Sequence, residues 1–246
     1  MELAARAVER GIPEIGFSEH NPMIRDDWDD WHMELENLDL YLEKIRHAQE
    51  TYPELTIKYG LEVDYIPGHE DWVRDLAGRY SWDYFIGSVH YISDQFDIDN
   101  PFKIEMWKER DPYDVWSAYL ERLTMAADSG LYEIIGHADL CKKFCFYPER
   151  DVMPLFQGFL ETARDRGVAI EINTAGLRKE CREMYPSPAI LKLACDLGVL
   201  LTFGSDAHAP EEVGMDFEAA VEFAKSVGYR QCCRFTKRER EMVPLP

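Results

Sequence analysis

The 246-residue sequence predicts an α/β fold in which parallel strands, covered by outer helices, close into a barrel. Two observations carry the prediction, and a third departs from it. Helix-like segments alternate with short, nearly continuous apolar runs, the pattern of strands buried on both faces. Six successive runs deliver polar residues of metal-ligand type to the same end: His20, Glu62, His90, His137, Glu171 with Asn173, and Asp206 with His208. In a closed barrel those ends form one ring, where barrel enzymes place their chemistry, whereas an open sheet spreads them along a line. The chain also starts with a helix where a barrel of βα units starts with a strand. Either a first strand is lacking, encoded upstream of Met1 or lost, or the barrel is closed some other way.

The elements follow in order. Leu3, Ala4, Ala7 and Val8 recur at helical spacing over 1–10 until Gly11 ends the run, and 12–17 (IPEIGF) reads as a strand. A loop rich in Asp and Trp at 23–33 precedes helix 34–51 and strand 56–63. Helix 69–78 leads to strand 83–92, and a polar, aromatic loop leads to helix 112–128 and strand 132–137. Helix 151–166 precedes strand 168–173; helix 187–198 precedes strand 199–204. A last helix, 216–227, runs into a weak strand-like stretch at 231–235. The closing KREREMV interleaves Lys237, Arg238 and Arg240 with Glu239 and Glu241 and reads as a solvated tail. Nothing divides the chain, so one domain spanning 1–246 is expected.

Composition excludes several classes. A formal charge of -20 repels polyanions, and no basic patch offsets it, so neither nucleic acid nor an acidic membrane surface is expected as partner. No apolar run reaches the about 18 residues that a spanning helix needs, and the N-terminus is a charged amphipathic helix rather than a signal peptide. The six cysteines are too sparse for a disulfide scaffold and point to a reducing cytoplasm. Cys141 and Cys145, three residues apart, lack the spacing and second pair of a zinc knuckle.

Four of the seven histidines, His20, His90, His137 and His208, lie at or just after apolar runs. Imidazole with carboxylate suits Zn, Mn or Fe, and four histidines with Glu62 and Asp206 exceed one tetrahedral site. Two or three divalent ions are therefore expected. His32, His47 and His69 fall in a loop or on helix faces and read as surface residues. Strand 199–204 would carry Asp206 and His208 to the barrel mouth, with Gly204 permitting a tight turn.

Five ordered motifs, GFSEH (16–20), GLEVD (60–64), GSVH (87–90), GHADL (136–140) and GSDAH (204–208), resemble the polymerase and histidinol phosphatase (PHP) family of metal-dependent phosphoesterases. INTAGLRKE (172–180) and YPSPAIL (185–191) resemble its histidinol-phosphatase branch. The resemblance implies a distorted (β/α)7-type barrel that hydrolyses L-histidinol phosphate. Glu62, His90 and His137 would hold one metal, Glu62 and Asp206 would contribute to a second, and His20 and His208 to a third. Arg178, together with Lys179 and Asn173, would bind substrate, with Arg178 gripping the phosphate; Asp206, His208 and Arg178 would be catalytic. The family's opening His-x-His strand has no counterpart in this chain, in line with the helix-first start. Histidinol carries an amine and an imidazole, so the loop at 23–33, with Asp26, Asp27, Asp29, Asp30, Trp28 and Trp31, is expected to form a lid.

Two rival readings remain at this level: a phosphoesterase of the same fold acting on another small phosphate, and a shortened, non-catalytic metal-binding relative. An unpaired barrel edge would also favour a homodimer.

Overall fold

The computed structural model describes residues 1–25 and 28–246; Asp26 and Asp27 of the expected lid lie outside the described residues. Helix α1 (Glu2–Glu9) leads into β1 (Glu14–His20), followed by α2 (Leu38–Thr51), β2 (Thr56–Asp64), α3 (Glu70–Arg79) and β3 (Tyr84–Ser88). A short antiparallel pair, β4 (Tyr91–Ser93) and β5 (Phe96–Asp97), and helices α4 (Ile104–Lys108) and α5 (Pro112–Asp128) come before β6 (Ile134–Ile135). Then come α6 (Met153–Arg166), β7 (Ala169–Asn173), α7 (Pro188–Leu197), β8 (Leu200–Gly204), α8 (Phe217–Val227) and a hairpin, β9 (Gln231–Thr236) and β10 (Glu239–Pro244).

Local chemistry explains the boundaries. Helix α5 begins where the Asp111 carboxylate accepts from Tyr113 N at 2.9 Å, with Pro112 supplying a first helical residue that needs no donor. Helices α6 and α7 stop at Gly167 and Gly198, both in the left-handed region.

Six strands pair in parallel in the order β1-β2-β3-β6-β7-β8. The sheet curls into a half-barrel. The register places His20 beside Glu62, Asp64 beside Ser88 and Asn173 beside Gly204, so the polar residues arrive level at the C-terminal rim. Among the described residues the ladder does not close, and β1 and β8 are its edges. The loop after β8 meets the chain after α1 instead: Arg10 donates to the Glu211 carbonyl at 3.1 Å. Leu61, Phe85, Ile135, Ile170 and Leu201 of the strands pack with Leu123, Phe156 and Phe159 of α5 and α6 in the main core. Trp82 and Trp107 are fully buried because each indole N–H finds a carbonyl at 2.8 Å, on Leu76 and Ile98.

Two expectations need correction. The run at 83–92 is not one strand: β3 ends at Ser88, and the chain turns into β4 so that His90 sits in the bend. The C-terminal residues are not a solvated tail. They form β10 against β9, whose Cys233 and Phe235 pack on Tyr84, Ile134 and Ala169 at the starts of β3, β6 and β7. Arg238 donates to Glu133 at 2.9 Å and to the Leu131 carbonyl at 2.6 Å, anchoring this plug across the end of the half-barrel opposite the polar rim. Among the described residues no helix is long and apolar enough to cross a membrane.

Candidate metal centre and substrate face

Glu62 stands at the centre of one side of the rim. Its Oε1 accepts from Ser88 Oγ at 2.6 Å and lies 2.9 Å from His137 Nε2 and 3.7 Å from His90 Nε2; its Oε2 is 3.8 Å from His20 Nδ1. Ring centroids are 5.5 Å apart for His20 and His90 and 5.1 Å for His90 and His137. Ligand atoms of His20, Glu62 and His90 fall within 4.8 Å of one another. Four of the expected metal residues thus converge. Strand alternation brings a fifth group: Asp64, two residues after Glu62, points to the same face. It accepts from His90 N at 2.9 Å and meets His90 Nδ1 at 3.0 and 3.1 Å, leaving Nε2 turned toward Glu62.

The electrostatics favour cations. Burial alone would raise the Glu62 carboxyl, but the charges of His20, His137 and His90 and the His137 hydrogen bond outweigh it, holding Glu62 well below the usual carboxylate range. Burial would likewise lower His90, yet Asp64, Asp99 and Glu62 push it up to about 10. His137 is raised, against its burial, by Glu62 and Asp206, while burial lowers His20. His20 Nδ1 and His137 Nδ1 are buried without a hydrogen-bond partner. Such an orphan costs about 1–3 kcal/mol. A donor set of imidazoles around a shared carboxylate, with two ring nitrogens unused and one imidazole oriented by a second carboxylate, fits a divalent metal.

The β7–β8 side of the rim has a different composition. Asn173 Nδ2 donates to Glu171 Oε2 at 3.1 Å and approaches Asp206 Oδ2 at 3.4 Å, while its Oδ1 accepts from Ala175 N and caps the turn of Thr174–Arg178. Burial and the charges of Asp206 and Glu62 push Glu171 up to about 7, against the pull of His137. Gly204 serves a purpose other than the expected tight turn. A Cβ there would lie 1.9 Å from Glu171 Oε1, so glycine makes room for that carboxyl, and the left-handed residue is Asp206, at φ 47°. Arg178 pairs with Glu212 at 3.1 Å, and its Nη2 donates to the carbonyls of Ser205 and Asp206 at 2.8 and 3.1 Å. Its Nη1 is buried and unpaired. Lys179 lines a groove beside it with Lys143, Phe144 and Arg182.

Not every expected residue joins. The His208 side chain is 68% exposed and approaches only Asp206, with Nδ1 3.1 Å from the carbonyl and 3.4 Å from Oδ1. His47 and His69 are exposed as expected, but His32 is not a surface residue. Its side chain is 3% exposed, and its Nε2 lies 3.0 Å from Asp64 Oδ2. Trp31 packs edge-on to His20 and His90 at centroid distances of 4.6 and 5.4 Å. Asp64 and His32 were missed for different reasons: period-2 spacing from Glu62 marks Asp64, whereas His32 sits in an aperiodic loop with no such signal.

Known proteins resemble this chain in sequence and in fold. Residues 1–175 match the PHP domain family. A histidinol-phosphatase relative from Deinococcus radiodurans is 39% identical over 99% of this chain and 92% of its own. A solved structure from Listeria monocytogenes, described as a histidinol phosphatase, superposes with a TM-score of 0.80 at 27% identity, covering 89% of this chain and 92% of that one. A histidinol phosphate phosphatase from Lactococcus lactis, solved with zinc, L-histidinol and phosphate, superposes at 0.77 with 20% identity, covering 98% and 91%. The chain belongs to the PHP domain family, among relatives of its histidinol-phosphatase branch.

Proposed function

We propose that this chain is a metal-dependent phosphomonoesterase that hydrolyses L-histidinol phosphate to L-histidinol and phosphate. One observation carries the reading: a largely buried cluster of imidazoles around Glu62 shares a rim with Arg178, whose buried Nη1 has no partner. The Deinococcus relative and the Lactococcus complex add the substrate and the zinc. His20, Glu62, His90 and His137 would hold divalent ions, with Asp206 at the cluster's edge. Bound there, such ions supply positive charge that polarises a phosphoryl group and acidifies a water.

The chain's own residues do the rest. Arg178, braced by Glu212 and two carbonyls, offers Nη1 to a phosphate oxygen without reorganising. Asn173 holds Asp206 and Glu171 apart and oriented. Glu171, pushed up to about 7 by burial and its acidic neighbours, holds a proton near neutral pH and is suited to supply the departing alkoxide. Trp31, set edge-on against His20 and His90, covers part of the cluster, the place a lid made by the described part of the loop at 23–33 would take. The acidic net charge suits a small ester rather than a nucleic acid. Six free cysteines fit a cytoplasmic setting. Pairing of two copies through the free edges of β1 and β8 belongs to the same reading, and sedimentation showing monomer alone would contradict it.

The test is phosphate release from a panel containing L-histidinol phosphate, a nucleoside monophosphate and a sugar phosphate, with Zn, Mn or Fe and after chelation. Metal-dependent preference for L-histidinol phosphate is expected. Preference for another monoester would replace the substrate, and no release from folded, metal-loaded protein would remove the reading.

A further inference from the structure

We propose that His32, on the loop between β1 and α2, is itself a metal ligand and binds an ion together with His20 and Asp64. The proposal rests on the metal-dependent reading above and extends it to a residue that no strand end supplies. Ligand atoms of His20, His32 and Asp64 lie within 4.8 Å of one another, in a group separate from His20, Glu62 and His90. The two groups share His20, whose Nδ1 is buried without a hydrogen-bond partner.

His32 has the surroundings of a ligating imidazole. Its Nδ1 lies 2.6 Å from Asp29 Oδ2 and its Nε2 3.0 Å from Asp64 Oδ2. A neutral imidazole carries one proton, so it can donate to only one of these carboxylates. With the proton on Nδ1, the Nε2 lone pair faces the Asp64 oxygen, and a cation between them removes the repulsion. Tetrahedral ligands about 2.0–2.2 Å from zinc stand roughly 3.4 Å apart, so the 3.0 Å pair needs only a small outward shift to admit an ion.

Asp29 completes the arrangement as the carboxylate behind the ligand. It accepts from the backbone N–H of Trp31 and His32 at 3.1 and 3.0 Å and from the Tyr91 hydroxyl at 2.5 Å. These bonds fix its orientation toward His32 Nδ1, the placement that holds ligating histidines in one tautomer and orientation. Trp31 lies 3.8 Å, centroid to centroid, from the His32 ring and also packs on His20, and the His32 side chain is 3% exposed. Asp64 then has two duties, steadying His90 through both oxygens and facing His32 through Oδ2.

The experiment counts metal rather than turnover. Wild type, His32→Ala, Asp29→Asn and the exposed control His47→Ala are loaded with Co(II) and dialysed. Equivalents per chain are measured by elemental mass spectrometry, affinity by titration, and coordination by the visible spectrum. Expected are loss of one equivalent in H32A, unchanged stoichiometry in H47A, and an affinity weakened about 10–100-fold for one equivalent in D29N. H32A that binds as many equivalents as wild type, with the same spectrum, overturns the proposal. Should circular dichroism show H32A unfolded, D29N decides: weakened affinity supports the proposal and unchanged affinity overturns it. Wild type that binds no Co(II) overturns this proposal and the metal-dependent function together, whereas full binding in H32A leaves that function standing.

Discussion

The two halves of the rim solve opposite problems with the same strand geometry. From β1 to β6 the strand ends carry imidazoles around buried Glu62 and Asp64, and there the Glu62 carboxylate is held in its charged form. Across β7 and β8 they carry an amide, two carboxyls and a braced guanidinium, and there the Glu171 carboxyl is pushed toward its neutral form. The first half suits cations and the second an anionic oxygen and a proton. The proposed hydrolysis draws on both halves, and the curl of the sheet puts them side by side.

That division can be broken at either end. Glu62→Gln removes the charge that three imidazoles surround, so metal stoichiometry should fall and kcat drop by roughly 10³-fold or more. A variant with full activity and full metal would mean that Glu62 is only a structural acceptor.

Glu171→Gln should act on stability with the opposite sign. The folded-state pKa of Glu171 is raised from 4.5 to about 7, so its stabilising contribution is complete below pH 4.5 and lost as pH rises through 7. In metal-free protein the neutral amide should therefore stabilise by about 3 kcal/mol at pH 8 and by very little at pH 4. Melting curves at the two pH values check this, and a pH-independent difference would contradict it.

Arg178→Lys separates the halves most cleanly. A lysine cannot both keep the Ser205 and Asp206 carbonyls and present a donor to phosphate, so KM should rise about 10–100-fold while metal content stays at the wild-type level. The smallest effect belongs to His208→Ala. Because this side chain is largely exposed, steady-state kinetics should change less than about threefold, and a collapse in kcat would return it to the centre.

How much of this was legible depended on periodicity. The apolar runs gave the strands, and a histidine or glutamate at the end of each gave His20, Glu62, His90 and His137. The β/α alternation also pointed to a curled, helix-covered sheet, and the helix-first start to an open ladder. What escaped was nonlocal. The alternating charges of Lys237 to Glu241 look solvated until Arg238 meets Glu133, more than a hundred residues away. The brace that holds Arg178, Glu212, arrives from another loop. Gly204 resembled a turn residue, since the carboxyl that needs its space belongs to the neighbouring strand. His32 lay in a stretch without a period, and only the fold brings it to Asp64.

The most direct test strips the chain of metal, restores Zn or Mn in steps, and follows phosphate release from L-histidinol phosphate at each step. Release that is absent without metal and climbs with occupancy until the binding residues are filled is the predicted result. Release that is undiminished in the stripped protein, or absent from the fully loaded one, would contradict the division between a cation-binding half and a phosphate-binding half.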